Sequence, residues 1–185
     1  MNIVTKLAAA LFLGAVSSAA MAGQGAYALA DVGVSSYGGG YSAPLGVRIG
    51  GGYNFIEPLK GLTIGAEGAL GYFGSANYTT FFGTSTVKTQ GVMVSGVVNY
   101  SIPHVESLSA IGKVGLMMAN TTFTTTNGFS YTGSSSGLFF GVGMQYDFND
   151  RIGVRAMYED FGSAVVMNGI SAGLTRLSAG AVFKF

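Results

Sequence analysis

The chain has 185 residues, 49% of them hydrophobic, with 31 glycines, no cysteine and no tryptophan, and its nine basic side chains almost balance eight acidic ones. That length suits one domain, and the balance of charge leaves neither a basic field for nucleic acid nor a polybasic patch for a membrane surface. Without cysteine, disulfides take no part in its stability.

Residues 1–22 read as a cleavable export signal: Lys6 supplies a positive start, Leu7 to Val16 an apolar run, and Ala20-Met21-Ala22 a cleavage site of the A-x-A kind, with Ala20 and Ala22 its small residues. The apolar run is too short to span a bilayer. The domain that remains, 23–185, loses only Lys6 from the basic set and is neutral.

Eight alternating segments follow, and in each a charged or polar residue fixes which parity turns inward. In Ala26 to Ser35, Asp31 points in and Ala28, Ala30, Val32 and Val34 point out. In Leu45 to Phe55, Arg48 is in and Val47, Ile49, Tyr53 and Phe55 are out. Leu62 to Phe73 has Glu67 in, with Leu62, Ile64, Ala66, Leu70 and Tyr72 out. Gly91 to Tyr100 puts Ser95 and Asn99 in, against Val92, Val94, Val98 and Tyr100. In Leu108 to Ala119, Lys113 faces Leu108, Val114, Leu116 and Met118. Leu138 to Phe148 has Gln145 and Asp147 in and six large apolar residues out. Ile152 to Phe161 has Arg155 and Glu159 in, with Ile152, Val154, Ala156 and Tyr158 out. The last, Leu174 to Phe185, sets Leu177, Ala179, Ala181, Phe183 and Phe185 against Arg176, Ser178, Gly180 and Lys184.

Segments of about ten residues, alternating in hydrophobicity and long enough to cross a bilayer at a tilt, predict an eight-stranded antiparallel up-and-down transmembrane β-barrel with its apolar parity on lipid. A soluble sandwich would turn the same face inward, but the polar parity here carries mixed charges and small residues in place of a solvated Lys/Glu surface. The connections alternate in length. Ile56 to Gly61, Ser101 to Ser107 and Asn149 to Arg151 are short; Ser36 to Pro44, Gly74 to Gln90, Asn120 to Gly137 and Gly162 to Gly173 are long. Short turns and both termini are expected in the periplasm, long loops outside.

Two Asn-Gly pairs set registers. Asn168-Gly169 as a two-residue turn pairs Met167 with Ile170, and running that register down sets Tyr158 opposite Ala179, Val154 opposite Phe183 and Ile152 opposite Phe185, with Glu159 diagonal to Arg176. The fifth and sixth segments both face outward at even numbers, so a three-residue loop, Thr126-Asn127-Gly128, satisfies parity with Gly128 as the bulge residue. That loop sets Phe123 opposite Tyr131 and makes each strand about eighteen residues long, a ribbon standing roughly 15 to 20 Å above the bilayer.

These residues resemble the small eight-stranded outer-membrane barrels of Gram-negative bacteria, the OmpA transmembrane domain, OmpX/Ail and opacity-protein group, over the whole of 23–185. The resemblance implies an outer-membrane location in contact with lipid and lipopolysaccharide, a monomer, and a terminal aromatic strand, Phe183 and Phe185, presented to the barrel-assembly machinery.

Catalytic chemistry has little support. The single histidine, His104, follows Pro103 in a short turn, on the wrong side for the lipid-modifying and proteolytic barrels, and no Cys/His cluster suggests a metal. No enzyme activity, metal or cofactor is expected. The interior charges Asp31, Arg48, Glu67, Lys113, Arg155, Glu159 and Arg176 read as a mutually neutralised ion-pair filling of a packed polar lumen, or alternatively as a gated conduit; eight strands leave room only for side chains, which favours the filling. The loops hold Tyr37, Tyr41, Tyr78, Phe81, Phe82, Phe123, Phe129 and Tyr131 among small polar residues. They read either as a recognition surface for an unidentified ligand or as a belt at the lipopolysaccharide interface. The functional expectation is surface interaction: adhesion, ligand binding or barrier maintenance. The alternative is a passive channel for small or hydrophobic solutes.

Overall fold

The structure, a computed structural model, describes residues 25–37, 42–80, 83–105, 107–126, 128–162, 165–167 and 170–185. The expected export signal, together with Tyr41, Phe81 and Phe82, lies outside them. Ten strands are present among the described residues: β1 (Ala26–Ser36), β2 (Leu45–Leu59), β3 (Leu62–Thr80), β4 (Gly83–Ser101), β5 (Leu108–Thr125), β6 (Ser130–Asp147), β7 (Ile152–Asp160), β8 (Val165–Met167), β9 (Ile170–Ala172) and β10 (Thr175–Lys184). Eight of them close into an antiparallel barrel in which β1 pairs with β10, and β8 and β9 form a small hairpin at the tip between β7 and β10. Closure gives every strand two neighbours, so no backbone edge faces an apolar solvent that could not hydrogen-bond it.

The parities put the apolar side outward. Val32, Leu45, Leu116, Leu138, Val142 and Leu177 stand exposed on the outer wall, while Arg48, Glu67, Lys113, Arg155, Glu159 and Arg176 are buried. A water-soluble protein would not leave such a continuous wall bare. Both ends of the described chain meet at the short-turn end, where the Lys184 amide donates to Arg151 O and the Phe185 amide to Ala26 O.

Four strands run past the apolar wall. Across β3, β4, β5 and β6 the outward row Leu70, Val92, Met118, Ser136 is followed by Tyr72, Gln90, Asn120, Ser134 and then by Ser75, Lys88, Thr122, Thr132. Beyond that polar row the strands continue as a sheet, here called the crown. The connection expected between Gly74 and Gln90 is therefore mostly strand: β3 runs to Thr80 and β4 begins at Gly83. Its Thr/Ser/Asn sequence offers no apolar alternation to read, yet the backbone pairs from Ser75↔Lys88 to Thr80↔Gly83 after a bulge in which Gly74 takes φ 88°. The β5–β6 hairpin has the expected register, Phe123 opposite Tyr131, with the Thr125 amide donating to Phe129 O and Gly128 at φ 80°.

The β7–β10 register differs from expectation. Tyr158 faces Leu177, Ala156 faces Ala179 and Ile152 faces Phe183, two residues away from the pairing extrapolated from the tip. Met167 does pair with Ile170. Between the barrel pair Asp160↔Thr175 and the tip pair Val165↔Ala172, one side holds two more residues than the other, and Gly162 adopts φ 56° there. A shift of two preserves every face, so parity alone could not detect it. Glu159 consequently sits directly opposite Arg176, not diagonal to it.

Candidate functional site

Two layers fill the lumen. Toward the short turns lies a charged layer, to which β1, β2, β3, β5 and β10 each contribute one inward charge and β7 two. Arg48 Nε donates to Asp31 Oδ2 at 2.7 Å and its Nη1 reaches both oxygens of Glu159 at 2.6 and 2.7 Å. Arg176 Nη2 stands 2.7 Å from Asp31 Oδ1 without hydrogen-bond alignment, and its guanidinium lies over the Phe73 ring at 5.8 Å. Glu67 takes a second set: Lys113 Nζ, Arg155 Nη1 at 2.7 Å and the Tyr27 hydroxyl at 3.1 Å. Arg155 also donates through Nε to Gln145 at 3.0 Å and lies 5.3 Å over Tyr27. The chain of contacts ends where Gln145 donates to Asp147, which accepts from Lys184 at 2.6 Å.

All seven expected lumen charges thus face the interior in two linked groups, Arg176–Asp31–Arg48–Glu159 and Lys113–Glu67–Arg155. Gly52 is what admits Tyr27, since a Cβ there would strike the phenol ring. A void of about 10 Å³ beside Asp31, Arg155, Met157 and Ser178 is room for no more than one water.

Above the charges the lumen is apolar, which corrects the expectation of a uniformly polar interior. Phe161 stacks on Phe139 at 5.1 Å and meets Phe73 edge-on at 5.1 Å. Met93, Met117, Ala69, Val87 and Leu174 complete this buried plug. Tyr37 closes it. Expected in an exposed loop, Tyr37 is 1% exposed and donates its hydroxyl to Phe73 O. Phe123 also departs from expectation, being half-buried and packed against the same cluster. The plug was signalled in the sequence: Phe73, Met93, Met117, Phe139 and Phe161 all occupy the inward parity, but an apolar residue on that parity looks like any other apolar residue in a strand.

Of the remaining loop aromatics, Phe129 and Tyr131 are exposed at the crown's tip, and the side chain of Tyr78 lies outside the described residues. The outer face of the crown is a hydroxyl and amide ladder: Thr86 donates to Asn77 at 2.9 Å, Thr122 and Thr132 share a hydrogen at 3.2 Å, and Ser134 donates to Asn120 at 2.7 Å. His104 sits exposed in the β4–β5 turn at φ 72°. Among the described residues no three His, Cys, Asp or Glu side chains gather to hold a metal. Phe183 and Phe185 are exposed on the outer wall with their rings 5.3 Å apart.

A closed eight-stranded ring with an apolar exterior and a sealed interior matches one family model, the outer membrane protein beta-barrel domain, over residues 8–185. The chain belongs to that outer-membrane β-barrel family. Three solved structures of similar shape are distant in sequence. Neisserial surface protein A is 18% identical with a TM-score of 0.60, the alignment covering 86% of this chain and 97% of that one. The attachment invasion locus protein Ail of Yersinia pestis is 16% identical, TM-score 0.56, over 88% and 100%. The N-terminal barrel of Pseudomonas aeruginosa OprF is 19% identical, TM-score 0.55, over 89% and 100%. No curated protein matches the chain by sequence.

Membership of this outer-membrane family assigns the apolar wall its solvent. A lipid-exposed charge near the bilayer centre costs about 2–4 kcal/mol for a basic side chain, which is why the ionic residues collect inside.

Proposed function

We propose that this outer-membrane barrel is a surface-interaction protein, with crown outward, short turns and both termini in the periplasm, and no catalytic role. The observation that carries the reading is the filling of the lumen at two levels, ionic below and aromatic above, which leaves the crown, among the described residues, as the extended polar surface available for contact. A passive channel has no support from a lumen packed in this way. As proposed partners, lipopolysaccharide surrounds the crown's base, the assembly machinery takes the Phe183/Phe185 strand, and the barrel acts as a monomer.

The names of Neisserial surface protein A and Ail fit such a role, and Ail is known in complex with the heparin analogue sucrose octasulfate. A polyanion fits poorly here. Among the described residues Lys88 is the one basic side chain on the crown's outward face. The crown's ladder of hydroxyls and amides, with Phe129 and Tyr131 at the tip, suits a neutral, hydroxyl-rich or extended peptide ligand.

The test is a binding screen of whole cells carrying the native protein or a variant whose β5–β6 ribbon is shortened by removing 121–126 and 128–133 with a short turn in place. The ribbon variant should retain the heat-modified gel mobility of a folded barrel and lose binding. Full binding by that variant would exclude the crown tip as the recognition surface.

A further inference from the structure

Among the described residues, β8 and β9 pair with each other and with no strand of the barrel. Their hairpin rises from the plug. At its base Phe161 and Leu174 are both fully buried, the Phe161 amide donates to Leu174 O, and the Leu174 amide donates to Gly162 O. From there β8 comes within 8 Å, Cα to Cα, of β5 and β6 alike. A strand added at the edge of β6 would stand two strand spacings, about 9.6 Å, from β5. The hairpin therefore lies over a face of the β5–β6 ribbon.

Burial identifies the face. On the outer one Thr124, Thr132, Ser134 and Ser136 are exposed; on the inner one Ala119 and Thr121 are buried, and Gly133, Ser135 and Gly137 are partly covered. Three successive inward positions of β6 thus carry nothing larger than serine, opposite Thr121, Ala119 and Met117 of β5. Sheets with ordinary side chains stack about 10 Å apart, and the run of small residues is what lets the hairpin's backbone come closer. It forms a seat, and neither 117–123 nor 131–137 contains a charged residue.

The occupant is weakly held. Each of its strands is three residues long, and a two-stranded hairpin is marginal by itself. Gly162, at φ 56°, and Gly173 flank it. Its sequence, Val-Val-Met before Asn168-Gly169 and Ile-Ser-Ala after it, is uncharged like the seat. A short element with no ladder to the barrel opens at low cost, and opening bares the Gly/Ser strip beside Phe123 and Tyr131. The crown's outer face offers a partner less, because its hydroxyls and amides already bond one another.

We infer that the inner face of β6 at Gly133, Ser135 and Gly137 is a docking seat for an uncharged, apolar β-hairpin of a partner protein, and that the chain's own β8–β9 hairpin covers this seat until such a partner displaces it. The inference rests on the crown as the recognition surface and moves the contact from its outer face to its inner one.

The test removes the cover. Deleting 163–172 leaves Gly162-Gly173 as a two-residue turn between Phe161 and Leu174, whose backbones are already hydrogen-bonded. The probe is a fluorescent peptide of sequence 162–173, closed into a hairpin by a disulfide between added terminal cysteines. It is titrated by anisotropy against the full-length and the shortened barrel in detergent, with gel mobility before and after boiling to verify that each is folded. The shortened barrel should bind the peptide. The full-length barrel should bind it about tenfold more weakly, as a cover docked in about nine-tenths of the molecules requires. In the shortened barrel Gly133→Leu or Gly137→Leu should abolish binding, whereas Ser136→Leu, the same bulk on the outer face, should leave it unchanged. In the full-length chain, spin labels on Ser171→Cys and Ser136→Cys should report one narrow distance that broadens when Gly133→Leu is added. No binding by the shortened barrel, equal binding by the full-length one, binding that survives Gly133→Leu, or an unaltered spin-label distance overturns the seat. Cells that lose binding with the shortened ribbon but keep it with Gly133→Leu would leave the crown reading standing and remove the seat.

Discussion

The buried carboxylate of Glu67 shows how the interior is held at the scale of one residue. It accepts from Lys113, Arg155 and Tyr27 at once, so replacing it with an amide strands two buried cations. Glu67→Gln should destabilise the barrel by about 3–5 kcal/mol, while a substitution of exposed Arg151 stays within about 0.5 kcal/mol. Urea unfolding in lipid vesicles measures both; equal midpoints would mean that water, not Glu67, solvates Lys113 and Arg155. Which residues are charged and inward was readable from alternation alone. Who pairs with whom was not: Arg48 and Glu159 are 111 positions apart and lie on strands that share no ladder, so their meeting depends on the shear of the whole ring. The plug escaped for a different reason. Phe73, Phe139 and Phe161 carry no polar mark, and hydrophobic residues on the inward parity register only once the barrel's width is known.

At the scale of the element, alternation identified strands only where lipid enforced it. β5 and β6 were legible to their full length because Asn127-Gly128 fixed a turn that the parity of both strands then constrained; the structure has the same pairing from Leu108↔Tyr146 to Thr124↔Ser130. β3 and β4 offered no such turn signal above Tyr72, and their crown halves read as loop. The closing strand β10 carries its own prediction. Its outer face ends in Phe183 and Phe185, ring against ring, with the Phe185 amide tied to Ala26 O of β1. Deleting Phe185 should leave the transmembrane register intact and reduce the amount of barrel assembled in cells several-fold. Undiminished outer-membrane yield would remove the assembly role assigned to this residue.

The whole molecule is a plugged cylinder with a parapet on one side. The crown rises from β3 to β6 only, since β6 pairs with β7 no higher than Phe140↔Asp160. Such a molecule should show no steady conductance in planar bilayers. Steps of constant size that disappear when Phe139 is replaced by a larger side chain would show that the plug moves and that the lumen conducts. Fold class was legible because every level agreed: strand length, parity, alternation of short and long connections. The crown's height and the mouth's asymmetry were not, because both come from backbone pairing among polar residues that carry no amphipathic signal.

The ring closes through β1 and β10, strands from opposite ends of the described sequence, paired from Tyr27↔Lys184 to Ser36↔Thr175. Contacts so remote in sequence make for slow folding, and until the final strand arrives the first has an open edge. Closing this seam in water would set the apolar wall against water, so the ring is expected to close only where lipid can cover that wall.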